Sequence, residues 1–313
     1  MCGIVGYIGK KQAAPILLDG LSKLEYRGYD SAGMAIFDGK KINMAKATGR
    51  LKVLSELTHE GATLPGTVGI GHTRWATHGA PSDINAHPHF NEAGTIAVVH
   101  NGIIENYMKL KKKLSEKGYK FQSDTDTEVV AQLLDYYYTG NPLETITKVM
   151  HRVEGSYALG IIFAENPDVI YAVRKDSPLI VGRGEGENLI ASDVPAILKY
   201  TRDVYFIENE EIARLSEEKI EFFNVDGESI EKECKHIEWD IHAAEKGCQV
   251  LLTGDVKHDV FIDGENMGVS VIDAGHFYTE NIFCEFIAGE LKNKFSDLRV
   301  EIAVSNRDIV EVI

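Results

Sequence analysis

Between positions 156 and 223 the chain is a succession of short apolar runs, at 156–164, 169–174, 179–182, 189–191, 204–206, 211–214 and 220–223. Runs this short, separated by turn residues, read as strands. Helical periodicity is grouped ahead of them, at 13–24, 104–117 and 125–138, the last opened by the cap-like Ser123-Asp124-Thr125-Asp126. Strands are also expected at 2–9, 34–37, 42–45, 67–74 and 96–100. Elements that cluster by type rather than alternate predict α+β layers, not a regular βαβ repeat. From about residue 249 the texture changes to strand 250–253, helix 258–267, strand 269–272, helix 279–294 and strand 298–304. That alternation is the signature of a small, mostly parallel sheet.

Composition narrows the partners. A net charge of −15 over 313 residues argues against a polyanion, and no basic stripe marks a nucleic-acid face. No run approaches the roughly 18 consecutive apolar residues of a membrane span. The N-terminus lacks a basic leader, so neither a membrane nor a signal peptide is expected. The four cysteines, Cys2, Cys234, Cys248 and Cys284, lie without disulfide or metal-ligand spacing. A cytoplasmic location is the expectation from that usage.

Cys2 opens the first strand, in the run Cys2-Gly3-Ile4-Val5-Gly6-Tyr7-Ile8-Gly9. Cysteine is small enough for the initiator methionine to be removed ahead of it, leaving one residue with a nucleophilic thiol and a free α-amine. A nucleophile whose own terminal amine serves as base is a known catalytic solution. The alternative is a small buried hydrophobe in a strand.

Three other segments carry polar groups where strands end, which is where sites are built. His72-Thr73-Arg74-Trp75-Ala76-Thr77-His78-Gly79 offers a guanidinium fork suited to a carboxylate, or else ordinary structural hydrogen bonds. His100-Asn101-Gly102 offers a side-chain amide beside a glycine N–H, two donors for an oxyanion. Asn-Gly is more commonly a turn. Asp124 and Asp126 open a helix, as caps or as a carboxylate that could hold a cationic amine.

Together with Tyr26-Arg27-Gly28-Tyr29-Asp30-Ser31-Ala32-Gly33 and Asn85-Ala86-His87-Pro88-His89, these segments occur in a fixed order. In that order they resemble the class II glutamine amidotransferase domain of the glutamine–fructose-6-phosphate aminotransferase (glucosamine-6-phosphate synthase) family. The likeness runs from residue 1 to about residue 247. It implies an N-terminal-nucleophile hydrolase αββα sandwich over 1–247, which hydrolyses L-glutamine without a cofactor. Cys2 would attack the carboxamide and form a glutamyl-thioester, with the Asn101 amide and Gly102 N–H holding the oxyanion. Arg74 would pair with the substrate α-carboxylate and Asp126 with its α-ammonium, while Trp75, Thr77 and His78 line the pocket. The family also implies sugar-isomerase domains, for which residues 248–313 are too few, so the ammonia would have no acceptor within this chain.

Residues 248–313 have a resemblance of their own. Leu252-Thr253-Gly254-Asp255-Val256-Lys257-His258-Asp259 and Ile272-Asp273-Ala274-Gly275-His276-Phe277-Tyr278-Thr279-Glu280 resemble the C-terminal end of the Nif-three-like dinuclear-metal, GTP cyclohydrolase-like family. His276 and Glu280, four apart at a helix start, can face one divalent metal. The resemblance implies that they are ligands whose partner ligands come from elsewhere. From the residues alone they read as an ordinary helix-entry pair. Each half stops where its family would continue, which fits a fused reading frame as well as a two-domain enzyme. A sheet this small leaves an open edge unless it docks or pairs with another copy of the chain, making a homo-oligomer one expectation. A non-productive regulatory module and a metal-binding protein are the alternative functions.

Overall fold

The computed structural model describes residues 2–25, 30–75, 79–237, 250–253, 270–273, 291, 292 and 294. The segment 26–29, Thr77, His78, the junction 238–249, Cys284, and His276 and Glu280 lie outside them. The chain divides into two compact units, Met1–Ile237 and Glu238–Ile313.

The first unit begins β1 (Gly3–Gly9), α1 (Ala13–Ser22), β2 (Ser31–Phe37), β3 (Ile42–Thr48), α2 (Leu51–Leu57), β4 (Val68–Arg74) and β5 (His89–Phe90). It continues with β6 (Ile96–Ile104), α3 (Tyr107–Ser115), α4 (Asp126–Tyr137), α5 (Pro142–Met150), β7 (Gly155–Phe163) and β8 (Asn166–Lys175). Short strands complete it: β9 (Ile180–Arg183), β10 (Glu187–Ala191), β11 (Asp203–Phe206), β12 (Glu211–Leu215), β13 (Ile220–Asn224), β14 (Ser229–Ile230) and β15 (Lys235–His236).

These strands form two sheets, ordered β15-β11-β9-β10-β1-β4-β2-β3 and β14-β13-β12-β8-β7-β6-β5. The paired neighbours run antiparallel. Alternation along each strand explains the layering, because successive side chains leave opposite faces. On β1, Ile4 and Ile8 join Ala97 and Val99 of β6 in the core between the sheets. Val5 and Tyr7, on the other face, pack with Leu17 and Leu21 of α1. On β6, Ile96 and Val98 face away from the middle layer toward Val130 and Leu134 of α4. Each large apolar side chain buried this way contributes about 1.5–3 kcal/mol. The result is the four-layer αββα sandwich of the α+β class.

Several elements depart from the sequence reading. The helix expected from position 104 starts only at Tyr107, because β6 continues through Asn101-Gly102 to Ile104, which pairs with Gly155 of β7. Strand β2 begins at Ser31 rather than 34. Helices α2 and α5 and the two-residue strands β5, β14 and β15 were not expected. In the second unit, β16 (Val250–Thr253) and β17 (Ser270–Asp273) pair parallel, in register Val250↔Ser270 to Thr253↔Asp273. Among the described residues, no helix is long and apolar enough to cross a membrane.

Candidate active site

Cys2 stands immediately before β1, half-buried at the end of an inner strand. Gly3 follows it for a packing reason: a Cβ there would lie 2.7 Å from both Leu24 Cβ and Thr73 Oγ1. The register Gly3↔Thr73 brings Cys2 beside the end of β4, where Arg74 gives way to Trp75. The Trp75 backbone N–H donates to Cys2 Sγ at 3.2 Å, and Sγ lies 3.5 Å from the Trp75 carbonyl oxygen. Burial pushes the thiol above its ordinary pKa, while the Trp75 N–H works in the opposite direction.

The opposing sheet supplies the next groups. Asn101 Nδ2 donates to the Cys2 carbonyl oxygen at 3.0 Å, tying β6 to the start of β1. Gly102 has φ +116, and a Cβ there would lie 2.0 Å from the Ser156 carbonyl oxygen. Only glycine suits that position without moving β7. His72 of β4 reaches across the sandwich, with Nε2 3.0 Å from both the His100 carbonyl oxygen and Asn101 Oδ1. Its ring stacks on His87 at 4.2 Å between centroids.

Helix α4 points its first turn at the same place. Thr125 caps it by accepting from the Glu128 N–H. Asp126, next in line, is buried, and its Oδ2 accepts from the Ile104 N–H at 2.8 Å. Arg74 is buried too, donating through Nη2 to the Gly79 carbonyl oxygen at 3.0 Å, with Nη1 3.9 Å from Asp30 Oδ1.

Cys2, Arg74, Trp75, Asn101, Gly102 and Asp126 all line one cavity of about 300 Å³. The fold thus gathers from four separated segments the residues singled out in the sequence, with Thr77 and His78 outside the described residues. The sequence reading left out Ser177 and Pro178, which also line this cavity. They occupy a turn after β8, and that position at a strand end, shared with Trp75, is the signal that could have found them. The turn is braced by Asp176 and Asn209, whose side chains and backbone exchange hydrogen bonds at 2.8 and 2.6 Å. Size alone does not mark the site. A wider groove of about 1240 Å³, between Arg183 and Lys219, contains none of the singled-out residues.

A thiol, amide donors, a buried cation and a buried carboxylate in one small cavity suit acyl transfer from an amino-acid side chain. No group of three or more His, Cys, Asp or Glu side chains among the described residues could hold a metal ion.

Residues 72–199 match the glutamine amidotransferase domain family, and residues 239–309 match Duf34/NIF3 (NGG1p interacting factor 3). The glutamine–fructose-6-phosphate aminotransferase (isomerizing) of Caldanaerobacter subterraneus subsp. tengcongensis is 63% identical over 247 residues, 79% of this chain and 40% of that protein. The enzyme of the same name from Clostridium acetobutylicum is 61% identical over the same shares of the two chains. The chain therefore spans about 40% of the length of these curated relatives. Among solved structures, glutamine phosphoribosylpyrophosphate amidotransferase from B. subtilis superposes with a TM-score of 0.65 at 23% identity, over 87% of this chain and 65% of that one. This is the N-terminal-nucleophile hydrolase fold. The chain carries the glutamine amidotransferase domain of the glutamine–fructose-6-phosphate aminotransferase family on that fold, together with a Duf34/NIF3 segment.

Proposed function

We propose that this chain hydrolyses the side-chain amide of L-glutamine, with Cys2 as nucleophile. The observation that carries the reading is the convergence of Cys2, Asn101, Gly102, Arg74 and Asp126 on one cavity of about 300 Å³. Removal of Met1 leaves the Cys2 α-amine, whose ordinary pKa of about 7.7–8.0 suits proton transfer at neutral pH. A base is needed because burial holds the thiol in its neutral form.

The amine takes the thiol proton as Sγ bonds to the glutamine carboxamide carbon, and the C=O electron pair moves onto oxygen. Asn101 Nδ2 and the Gly102 N–H stabilise that oxyanion; a single such donor is typically worth about 3 kcal/mol or more. Collapse breaks the C–N bond, the protonated amine returns its proton to the leaving nitrogen, and ammonia departs. Water then cleaves the glutamyl-thioester to glutamate and regenerates the thiol. Arg74 pairs with the substrate α-carboxylate and Asp126 with its α-ammonium, and Trp75 lines the pocket; Thr77 and His78 are further candidate lining residues by family pattern alone. This chemistry asks for no cofactor. Transfer of the ammonia to fructose-6-phosphate belongs to the name of the longer relatives and is not part of the proposal for this chain.

Glutamate release from glutamine, compared between wild type and Cys2→Ala, is the test. Turnover no higher in the wild type than in the variant removes the reading.

A second reading concerns the tail, favoured by the Duf34/NIF3 match over 239–309. His276 and Glu280 are its candidate ligands for a divalent metal. Two donors fall short of the four or more that such a cation usually takes, so further ligands would have to come from another segment or copy. Metal content of the purified chain, before and after His276→Ala, tests it: stoichiometric metal lost in the variant supports the site, and no bound metal in wild type removes it.

A further inference from the structure

We propose that His72 is a positioning residue that fixes the orientation of the Asn101 side-chain amide, and through it the oxyanion donor. The proposal rests on the glutaminase reading for the role of Asn101. His72 is fully buried and is not among the residues lining the cavity, so it acts only through another group.

Hydrogen-bond bookkeeping determines the arrangement. The His100 carbonyl oxygen, 3.0 Å from His72 Nε2, can only accept, so Nε2 carries the proton. The Asn101 atom at 3.0 Å from the same nitrogen must then be its oxygen. The Asn101 nitrogen therefore turns toward the Cys2 carbonyl oxygen, which also can only accept. Reversing the amide would set donor against donor at His72 and oxygen against oxygen at Cys2. One Nδ2 proton serves the Cys2 carbonyl, and the second remains for an oxyanion in the cavity.

The imidazole is itself held. It stacks on His87 at 4.2 Å with 19° between ring planes. His87 Nδ1 accepts the His100 backbone N–H at 3.3 Å, which leaves the His87 proton on Nε2, facing Thr127 Oγ1 at 3.3 Å. Burial keeps the His72 ring neutral down to about pH 3, so it gains no second proton across any working range, and its partners hold the remaining one on Nε2.

The test is a cycle of His72→Phe, His72→Gln and Asn101→Ala in the full chain. His72→Phe retains ring volume without a donor, and His72→Gln restores an N–H near Nε2. We expect His72→Phe to lower kcat about 10- to 100-fold with the KM for glutamine changed less than about twofold, the loss expected of a misplaced catalytic group. His72→Gln should recover most of it with no shift in the kcat pH profile. In an Asn101→Ala background, His72→Phe should cost nothing further. Equal losses in both backgrounds, or a change confined to KM, would overturn the proposal. A readout independent of turnover is the ¹⁵N spectrum of the Asn101 side-chain amide. It should be one sharp pair in wild type and shifted or doubled in His72→Phe. If wild type releases no glutamate yet that signal responds, the glutaminase reading fails while the orienting role stands. A signal indifferent to His72→Phe refutes the orienting role directly.

Discussion

The Trp75 backbone N–H lies 3.2 Å from Cys2 Sγ, so the chain that leaves β4 holds the thiol just ahead of β1. The bond aims sulfur without ionising it, since burial outweighs it and leaves the thiol pKa raised. In the proposed mechanism, activation then falls to the terminal amine. Insertion of Lys between Met1 and Cys2, which blocks methionine removal, is expected to lower glutamate release at least about 10²-fold, the scale of a lost general base. Alkylation of Cys2 by iodoacetamide should still proceed at alkaline pH. Undiminished turnover in the extended protein, checked by N-terminal mass, would remove the amine from the mechanism.

Gly102 cannot be replaced without moving β7. At φ +116, with the Ser156 carbonyl oxygen 2.0 Å from any Cβ, Gly102→Ala meets backbone strain and a backbone clash together. A loss of about 3 kcal/mol or more is expected from urea denaturation. Glutamate release should fall further than the folded fraction does, because the same shift displaces the proposed oxyanion donor. An alanine variant of wild-type stability would refute this account of the strand.

Asp126 and Arg74 predict how the pocket treats altered substrates. An analogue of glutamine lacking the α-amine leaves the buried Asp126 carboxylate without its cation, a desolvation cost the complex must bear. Its kcat/KM is expected to be about 10²-fold or more below that of glutamine. The deficit should shrink in Asp126→Asn, whose KM for glutamine rises. Equal use of the two substrates by wild type would exclude an ammonium partner role for Asp126.

The layered class was legible because strand patterns and helix patterns cluster along the chain instead of alternating. The exit from β6 was not. Asn101-Gly102 has the local chemistry of a turn, yet pairing of Asn101 with Ala158 and Gly102 with Tyr157 carries the strand through it. Long-range ladder bonds overrode a local propensity. Helix α5 had readable signals in the Asn141 cap and Pro142 at its first turn, but nine residues hold little periodicity. The site residues were legible as types and as a family pattern. Their meeting was not, since it depends on strands of two sheets coming together in space, and the only local mark Ser177 carries is its place just after a strand end.

The buried histidines predict an acid-sensitive fold. Burial holds His72 at a pKa of about 3 and pushes His87 and His89 well below the ordinary value. In the unfolded chain each titrates near 6.5. Between those values the unfolded state binds more protons, so stability rises with pH, is fully present above about 6.5 and is lost as pH falls toward 3. From these values His72 alone accounts for about 2 kcal/mol between pH 7.5 and pH 5. The carboxylates Asp19, Asp38, Asp83 and Glu221, lowered by hydrogen bonds and nearby cations, lose their contributions below about pH 4.5, mostly outside the window from 5 to 7.5. Urea midpoints at pH 5 and 7.5 should differ accordingly in wild type, and by less in His72→Phe, where one depressed imidazole is gone. Midpoints that coincide at the two pH values would mean that these rings are hydrated in the folded chain, and that the buried column behind Asn101 does not exist as described.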